Sequence, residues 1–488
     1  MSGIGGHARA APDSTAIVSM GRTLSFSELN ERQRLLAGAL KAVGIEEGDR
    51  VAILTRNSVE SLEVTTGALR AGIIPVPINP LLTEREAEYI LQDSGARWLF
   101  ADRPIEPLPE LDQVLTFGDA YERCLVEASP IDIADHVRGR PMHYTSGTTG
   151  APKGVWVRVM DPDSAAEISA DFISYWGLEQ GDIHLVCSPL AHSAPHRYAM
   201  RTLEAGGTVA LQSRFDAAET LAAIDLFNAT TTFMVPTHLE RILALGDKHI
   251  RRHDLTSMRL LIHAGAPIRE HTKRKTIAVF SAEAVWEFYG STEGQATRIS
   301  ATEWLGKPGS VGRPREGAAV IIKNDNGKPA PSGEIGTVWI KDPRIDRFQY
   351  WGDRAKTRRA WKAGAFTVGD LGYLDPDGYL FLSGRSDDTI ITGGVNVYPQ
   401  EVEEVLSQHP DVSEVVVYGV SNEEWGQEVH AAVVLRPGAT SDPSSLREWS
   451  RDLLAGYKRP RAIEIVDELS RTASGKVRRE PPRRAGRS

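Results

Sequence analysis

Four times before residue 240 an amphipathic helical pattern gives way to a short β-rich run, and this alternation narrows the fold more than any other feature of the chain. Ser25-Phe26-Ser27-Glu28 reads as a capping box opening a helix with Leu29, Leu36, Leu40 and Val43 on one face and Gly44 as its stop; a strand over 49–54 follows. A helix over 58–71 precedes the run 73–78, a helix over 84–93 precedes Trp98-Leu99-Phe100, and a helix over 217–227 precedes the run 231–235. Strands separated by helices in this way predict α/β layers with mostly parallel strands. From about Gly317 the pattern changes to short strands broken by Gly, Asp and Pro, as in Val320-Ile321-Ile322-Lys323 and Tyr379-Leu380-Phe381-Leu382, which predicts a β-rich subdomain over about 317–384. Beyond Gly384-Arg385-Ser386-Asp387-Asp388 a smaller α+β domain is expected over 389–488, with a strand at Thr389-Ile390-Ile391, a helix after Pro399 and strands at 415–418 and 431–435.

Composition excludes several classes. With 41% hydrophobic and 25% charged residues in 488, the chain is ordinary globular material, and its net charge of −9 argues against a nucleic-acid-binding face. Its most apolar stretch, 62–82, is interrupted by Glu63, Arg70 and three prolines, so no membrane span is expected. No signal-peptide core precedes it, and the two cysteines, Cys124 and Cys187, have no CxxC or Cys/His neighbours; both features fit the cytoplasm. The five arginines beyond Val477 lack interleaved aromatics and read as a solvated tail. Nothing in the sequence sets the oligomeric state.

One segment is rich in chemistry. Tyr144-Thr145-Ser146-Gly147-Thr148-Thr149-Gly150-Ala151-Pro152-Lys153-Gly154 gathers Ser and Thr donors, three glycines and a lysine within eleven residues. Glycines let backbone N–H groups approach an anion closely and lysine adds a mobile charge, a set that suits a polyphosphate. The same composition also fits a flexible polar linker. It is not a Walker A loop, because Pro152 precedes Lys153 and Gly154 follows it.

At this segment the chain resembles the AMP-binding, adenylate-forming enzymes, which include acyl- and aryl-CoA ligases, peptide-synthetase adenylation domains and luciferases. Further motifs follow in the family's order: Pro189-Leu190-Ala191-His192, His263-Ala264-Gly265-Ala266-Pro267, Glu287-Phe288-Tyr289-Gly290-Ser291-Thr292-Glu293, Gly369-Asp370-Leu371-Gly372, Gly384-Arg385-Ser386-Asp387-Asp388, Gly393-Gly394-Val395-Asn396-Val397-Tyr398-Pro399 and Arg471-Thr472-Ala473-Ser474-Gly475-Lys476. The resemblance implies a large N-terminal adenylation domain over 1–384, a hinge over 385–388, a small mobile C-terminal domain over 389–488, and the use of ATP and magnesium.

Residue by residue, the resemblance implies that Thr145, Ser146, Gly147, Thr148, Thr149, Gly150 and Lys153 hold phosphate, and that Glu293 is the magnesium ligand with Thr292 on the α-phosphate. It gives Tyr289 and the Gly265, Ala266 and Pro267 turn to the adenine, Glu287 and Gly290 to the nucleotide site as a whole, and Asp370 with Arg385 to the ribose. Lys476 would bridge the substrate carboxylate and the α-phosphate, neutralising charge that develops in the transition state. Asp387 would be the hinge, about which Gly393 and Gly394 replace Lys476 to admit the acceptor. Taken alone, Glu293 reads equally as a turn carboxylate, Asp370 and Arg385 as a surface ion pair, and the two glycines as a plain turn.

His192, Phe233, Val235, Pro236, His263, Ala264 and Gly290 would wall the acid pocket. None is an aspartate that would pair an α-amine, so a neutral aryl or alkyl carboxylate is expected. His192 reads as part of that pocket or as a gate to the acceptor channel, and alternatively as a core histidine. Three departures stand out: Val368 replaces the threonine before Gly369-Asp370, Ser470 replaces the proline before Arg471, and Ala191 replaces a bulkier residue before His192. The expected reaction is ATP-dependent adenylation of a carboxylic acid and transfer to CoA, with Lys458-Arg459-Pro460-Arg461 as possible cations for its phosphates or simply solvated surface. Transfer of the same adenylate to an amine, giving an amide, is the alternative.

Overall fold

The structure, a computed structural model, describes residues 2–106, 111–145, 152–345, 347–393, 395–451, 453–471 and 477–482. The chain divides into two compact units, Met1–Pro308 with Asp342–Lys362, and Gly309–Lys341 with Ala363–Ser488.

An eight-stranded sheet dominates the first unit, in the order Gln295–Ser300, Val285–Gly290, Leu260–His263, Thr231–Met234, Ile183–Val186, Thr208–Leu211, Thr15–Ser19, Arg22–Ser25. Its inner pairings are all parallel and only the two edge strands run antiparallel, as the helix–strand alternation predicts. A second sheet, Ile74–Ile78, Arg50–Leu54, Trp98–Ala101 and Gln113–Thr116, is parallel throughout.

The helices start and stop where local chemistry dictates. Ser25 and Glu28 form the expected reciprocal capping box at the head of Phe26–Ala42, with Leu29, Leu36 and Leu40 buried. Val43 instead falls just past the helix end and is 44% exposed. Pro162–Trp176, a helix not among those expected from the sequence, begins at an Asp161 cap that accepts from the Ser164 N–H and ends at left-handed Gly177.

Alternation along the strands splits the large sheet into two faces. One packs Phe233, Ile262, Ala264 and Phe288 against Trp176 and Tyr198 from helices Pro162–Trp176 and Ser193–Ala205. The other packs Met234, Leu261 and Val285 against Leu221, Leu239 and Phe280 from helices Ala217–Phe227, Pro236–Ala244 and Glu270–Phe280.

Burial leaves several histidines neutral. His196 is pushed down to about 3, and His184 and His238 to about 4, because the interior penalises the imidazolium. Between those values and 6.5 the unfolded chain takes up protons that the folded chain refuses, so the stabilisation is complete above about pH 6.5 and falls away as the pH drops. At pH 5 each of the three is expected to remove up to about 2 kcal/mol. Urea unfolding at pH 7 and pH 5 reads the loss, and His196→Gln should flatten the dependence by about one proton.

A small antiparallel sheet of Gln349–Tyr350, Lys153–Trp156 and His143–Thr145 completes the first unit. Asp93, in helix Glu84–Ser94, anchors it twice: its side chain accepts from Tyr144 Oη at 2.7 Å and its carbonyl from Trp351 Nε1 at 2.8 Å.

In the second unit, strands Ala319–Lys323, Gly336–Lys341, Asp370–Leu374 and Leu380–Arg385 pair antiparallel in the expected β-rich segment. Farther along, Val395–Val397, Ile390–Thr392, Gly426–Leu435 and Val412–Asn422 form a sheet with Ala462–Ile465, with helix Pro399–Ser407 burying Val402 and Leu406. The tail is not wholly solvated: Arg479 pairs with Glu403 and with Asp388 and donates to the Val417 carbonyl at 3.1 Å. Among the described residues no helix is long and apolar enough to cross a membrane.

Candidate active site

Strand order reverses at Ile183–Val186, which has Thr208–Leu211 on one side and Thr231–Met234 on the other. Crevices at the carboxyl ends of parallel strands beside such a reversal are where α/β sheets bind ligands. The segments that leave those ends are Pro189 to His192, Val235-Pro236, Ala264 to Pro267 and, on the neighbouring strand, Ser291 to Glu293.

Each segment is fixed locally. His192 caps helix Ser193–Ala205, its N–H donating to the Pro189 carbonyl at 3.1 Å. Gly265 turns the chain at φ +90°, a conformation L side chains rarely adopt. After Gly290 the Ser291 N–H donates to the Gly294 carbonyl at 2.9 Å, and the turn is so tight that a Cβ on Gly290 would lie 2.8 Å from the Gln295 Cα. Arg140 grips this turn through its backbone, Nη1 donating to the Thr292 carbonyl at 2.7 Å and the Glu293 carbonyl at 3.3 Å. Thr292 Oγ1 lies 3.4 Å from Ser193 Oγ, which joins the turn to the start of the His192 helix.

Glu293 is only 5% exposed, and its Oε1 accepts from Tyr350 Oη at 2.8 Å. In the same turn Ser291 Oγ and Gln295 Nε2 are buried with no hydrogen-bond partner among the described residues. No group of three or more His, Cys, Asp or Glu side chains that could hold a metal occurs among the described residues. One well-placed carboxylate is nevertheless the provision that magnesium asks for when substrate phosphates and water supply its other oxygens.

The strand that leads into this turn carries one half of a buried ion pair. Lys273, fully buried, donates to Glu287 Oε2 and stands 4.6 Å above the Trp304 ring, while His263 Nε2 is 4.0 Å from the same carboxylate oxygen. Burial raises the Glu287 carboxyl and lowers the Lys273 ammonium, each opposed by the other's charge. Burial, with the Lys273 charge adding to it, drives His263 well below its ordinary value.

The structure thus places His192, Thr292, Glu293, Gly265, Ala266 and Pro267 just beyond the carboxyl ends of strands in one sheet, with Tyr289 and Gly290 ending the strand Val285–Gly290. Thr145 and Lys153 are cross-strand partners, with Thr145 Oγ1 at 3.5 Å from the Lys153 carbonyl. Ser146, Gly147, Thr148, Thr149, Gly150, Gly394 and Lys476 lie outside the described residues. Of the acid-pocket set, Phe233, Val235 and Ala264 share the aromatic cluster, where Phe233 stacks on Tyr198 at 5.8 Å. Pro236 opens the helix Pro236–Ala244, and His263 is on the opposite sheet face beside Lys273.

In the second unit Asp370 faces Arg385 across the strand pair, Arg385 Nε donating to Asp370 Oδ1 at 3.0 Å. Asp387 is exposed in the short 3-10 turn Ser386–Asp388, and Gly393 at φ +56° donates to the Trp425 carbonyl at 2.8 Å. Sequence reading missed Arg140, Lys273 and Tyr350. Only Tyr350 had a visible cue, an aromatic beside the Trp351-Gly352-Asp353 turn, and nothing tied it to Glu293, 57 residues away.

Two family models match the chain, the AMP-binding enzyme over residues 6–347 and the AMP-binding enzyme C-terminal domain over residues 401–476. The chain belongs to the AMP-binding enzyme family. As a member it is an enzyme, a ligase of the AMP-forming class, with the mixed α/β architecture of a large N-terminal and a small C-terminal domain. It is 37% identical to a 2-succinylbenzoate–CoA ligase of Geobacillus kaustophilus, across 97% of this chain and 95% of that protein. It is 28% identical to the o-succinylbenzoate CoA synthetase of Bacillus subtilis solved with its acyl-adenylate, with a TM-score of 0.86 over 98% of this chain and 97% of that one. That enzyme has also been solved with ATP and a magnesium ion. The amide bond synthetase McbA of Marinactinospora thermotolerans aligns at 28% identity with a TM-score of 0.83, over 97% of this AMP-binding enzyme and 98% of that chain.

Proposed function

We propose that this AMP-binding enzyme activates a carboxylic acid with ATP and passes the acyl group to CoA. The observation that carries the reading is the convergence of His192, Gly265 and the Thr292-Glu293 turn on neighbouring strand ends beside the strand-order reversal. A carboxylate oxygen attacks the α-phosphorus, the bond to the bridging oxygen breaks and pyrophosphate leaves; the thiol sulfur then attacks the acyl carbon, AMP departs and the thiol proton goes to solvent. Both partners in the first step are anions, so aligned geometry and positive charge matter more than proton transfer.

Glu293 would hold magnesium, which supplies charge neutralisation at the phosphates. Thr292 would contact the α-phosphate, and Thr145, Lys153 and residues 146–150 would hold the remaining phosphates. Tyr289 and the Gly265, Ala266 and Pro267 turn would bound the adenine, Glu287 and Gly290 would belong to the nucleotide site as a whole, Asp370 and Arg385 would bind the ribose, and Lys476 would bridge the two reacting anions. Phe233, Val235 and Ala264 give the acid an apolar, aromatic-backed wall, which supports an aryl or alkyl acid. The domain boundaries follow the same reading: 1–384 and 389–488 joined by a hinge at 385–388. Asp387→Pro, which fixes the hinge φ, is expected to slow transfer to the acceptor more than adenylation, read by following both half-reactions separately. A cytoplasmic location is supported by two free cysteines, Cys124 and Cys187.

Amide formation is the second reading, favoured by the likeness to McbA. Pyrophosphate release against a panel of aryl and alkyl acids, with products followed by mass spectrometry in CoA, in amines or in neither, separates the two. Thioester with CoA alone supports the proposal; amide with CoA untouched replaces it.

A further inference from the structure

Glu293 is held by a partner from a distant stretch of the chain. Tyr350 lies on Gln349–Tyr350, opposite Val155 of Lys153–Trp156, and that strand pairs in turn with His143–Thr145. The tyrosine is buried and well fixed: its N–H donates to Thr357 Oγ1 at 2.9 Å, Lys356 Nζ stands 4.4 Å from its ring centroid, and Phe348 packs edge-on at 5.4 Å. With the Glu293 backbone already gripped by Arg140, the phenol is what sets the orientation of the side chain. We propose that Tyr350 is a positioning residue for the metal carboxylate, setting the plane of Glu293 through Oε1 and tying it to the strand pair that flanks residues 146–151.

The physical reason is the geometry of a hard-ion ligand. A carboxylate that rotates freely must be ordered each time the ion binds, whereas one fixed by a buried hydroxyl is already aligned, and loss of such an outer-shell partner weakens metal binding by 10-fold or more. The sheet adds a second effect. Because Tyr350 and Lys153 belong to paired strands, the carboxylate and the end of the segment that would hold phosphate keep a fixed spacing.

The inference rests on the reading of Glu293 as the magnesium ligand, and the test separates the two. Mn2+ replaces magnesium as a spectroscopic probe, and its binding to the full-length enzyme with a non-hydrolysable ATP analogue is measured by electron paramagnetic resonance. Tyr350→Phe keeps the ring and its packing; it is expected to raise the Mn2+ dissociation constant about 10-fold, with most of the pyrophosphate-release rate recovered at saturating magnesium. The double variant with Glu293→Gln should be no worse than Glu293→Gln alone, since the hydroxyl acts only through that carboxylate. A purely structural tyrosine would lower the melting temperature and leave Mn2+ binding unchanged. Parental binding in Tyr350→Phe beside a deficient Glu293→Gln overturns the positioning role alone; parental binding in Glu293→Gln overturns the metal assignment and the positioning role with it. If Tyr350→Phe does not fold, Thr357→Val, which releases the backbone anchor of Tyr350 together with the hydroxyl's own bond to the Asp353 carbonyl, should shift Mn2+ binding in the same direction by a smaller factor, and no shift there refutes the proposal.

Discussion

Lys476→Ala is expected to slow acyl-adenylate formation by about 100- to 1000-fold, the range seen when one preorganised contact to developing transition-state charge is removed. Transfer from a chemically supplied acyl-adenylate to the acceptor should keep its parental rate, because in the proposed role the lysine would act on charge present only while pyrophosphate departs. The two half-reactions are read separately, by pyrophosphate release and by product formation from the supplied adenylate. Equal losses in both would mean that Lys476 is not confined to adenylation. No loss in either would show that Lys476 takes no part in adenylation.

The second large effect concerns stability. Lys273→Met strands the Glu287 carboxylate in a fully packed interior, and breaking a buried pair by removing one partner typically destabilises by about 3–5 kcal/mol. Adding Glu287→Gln to that variant removes the uncompensated charge and should return much of the loss. Urea unfolding of the parent, the single and the double variants makes the comparison. A single variant as stable as the parent would show that the carboxyl has already taken up a proton in the folded state. Glu287 also lies on the same strand as Tyr289 and Gly290, with Lys273 reaching it from the helix Glu270–Phe280, so nucleotide affinity should fall with stability in the single variant and recover in the double.

What could be read in the sequence was what local chemistry decides. The Ser25 and Glu28 box and the helix Ala217–Phe227 stand where their caps and periodicity place them. The sequence misled where the answer depended on partners far along the chain. The family resemblance groups His263 with Phe233, but the pairing of Met234 with His263 and of Phe233 with Ile262 puts their side chains on opposite faces. Strand register is a property of the sheet, and no single run of residues states it. Arg479 looked like part of a solvated basic tail because its partners, Asp388 and Glu403, precede it by more than seventy residues. Tyr350 belongs to the same class: its role rests on one hydrogen bond across the fold.

The pairing of Thr15–Ser19 with Thr208–Leu211 has a consequence for biosynthesis. The first strand of the large sheet finds its parallel neighbour about 190 residues later, and at ordinary translation speeds of 5–20 residues per second it waits for roughly 10–40 s. Throughout that interval its only sheet partner is Arg22–Ser25, and an isolated two-stranded hairpin is marginal in water. Ala16 and Ile17, fully buried in the finished protein, therefore emerge early as exposed apolar surface. Ribosome-bound chains halted before residue 208 should recruit chaperones at this hairpin, and those halted well beyond residue 211 should release them.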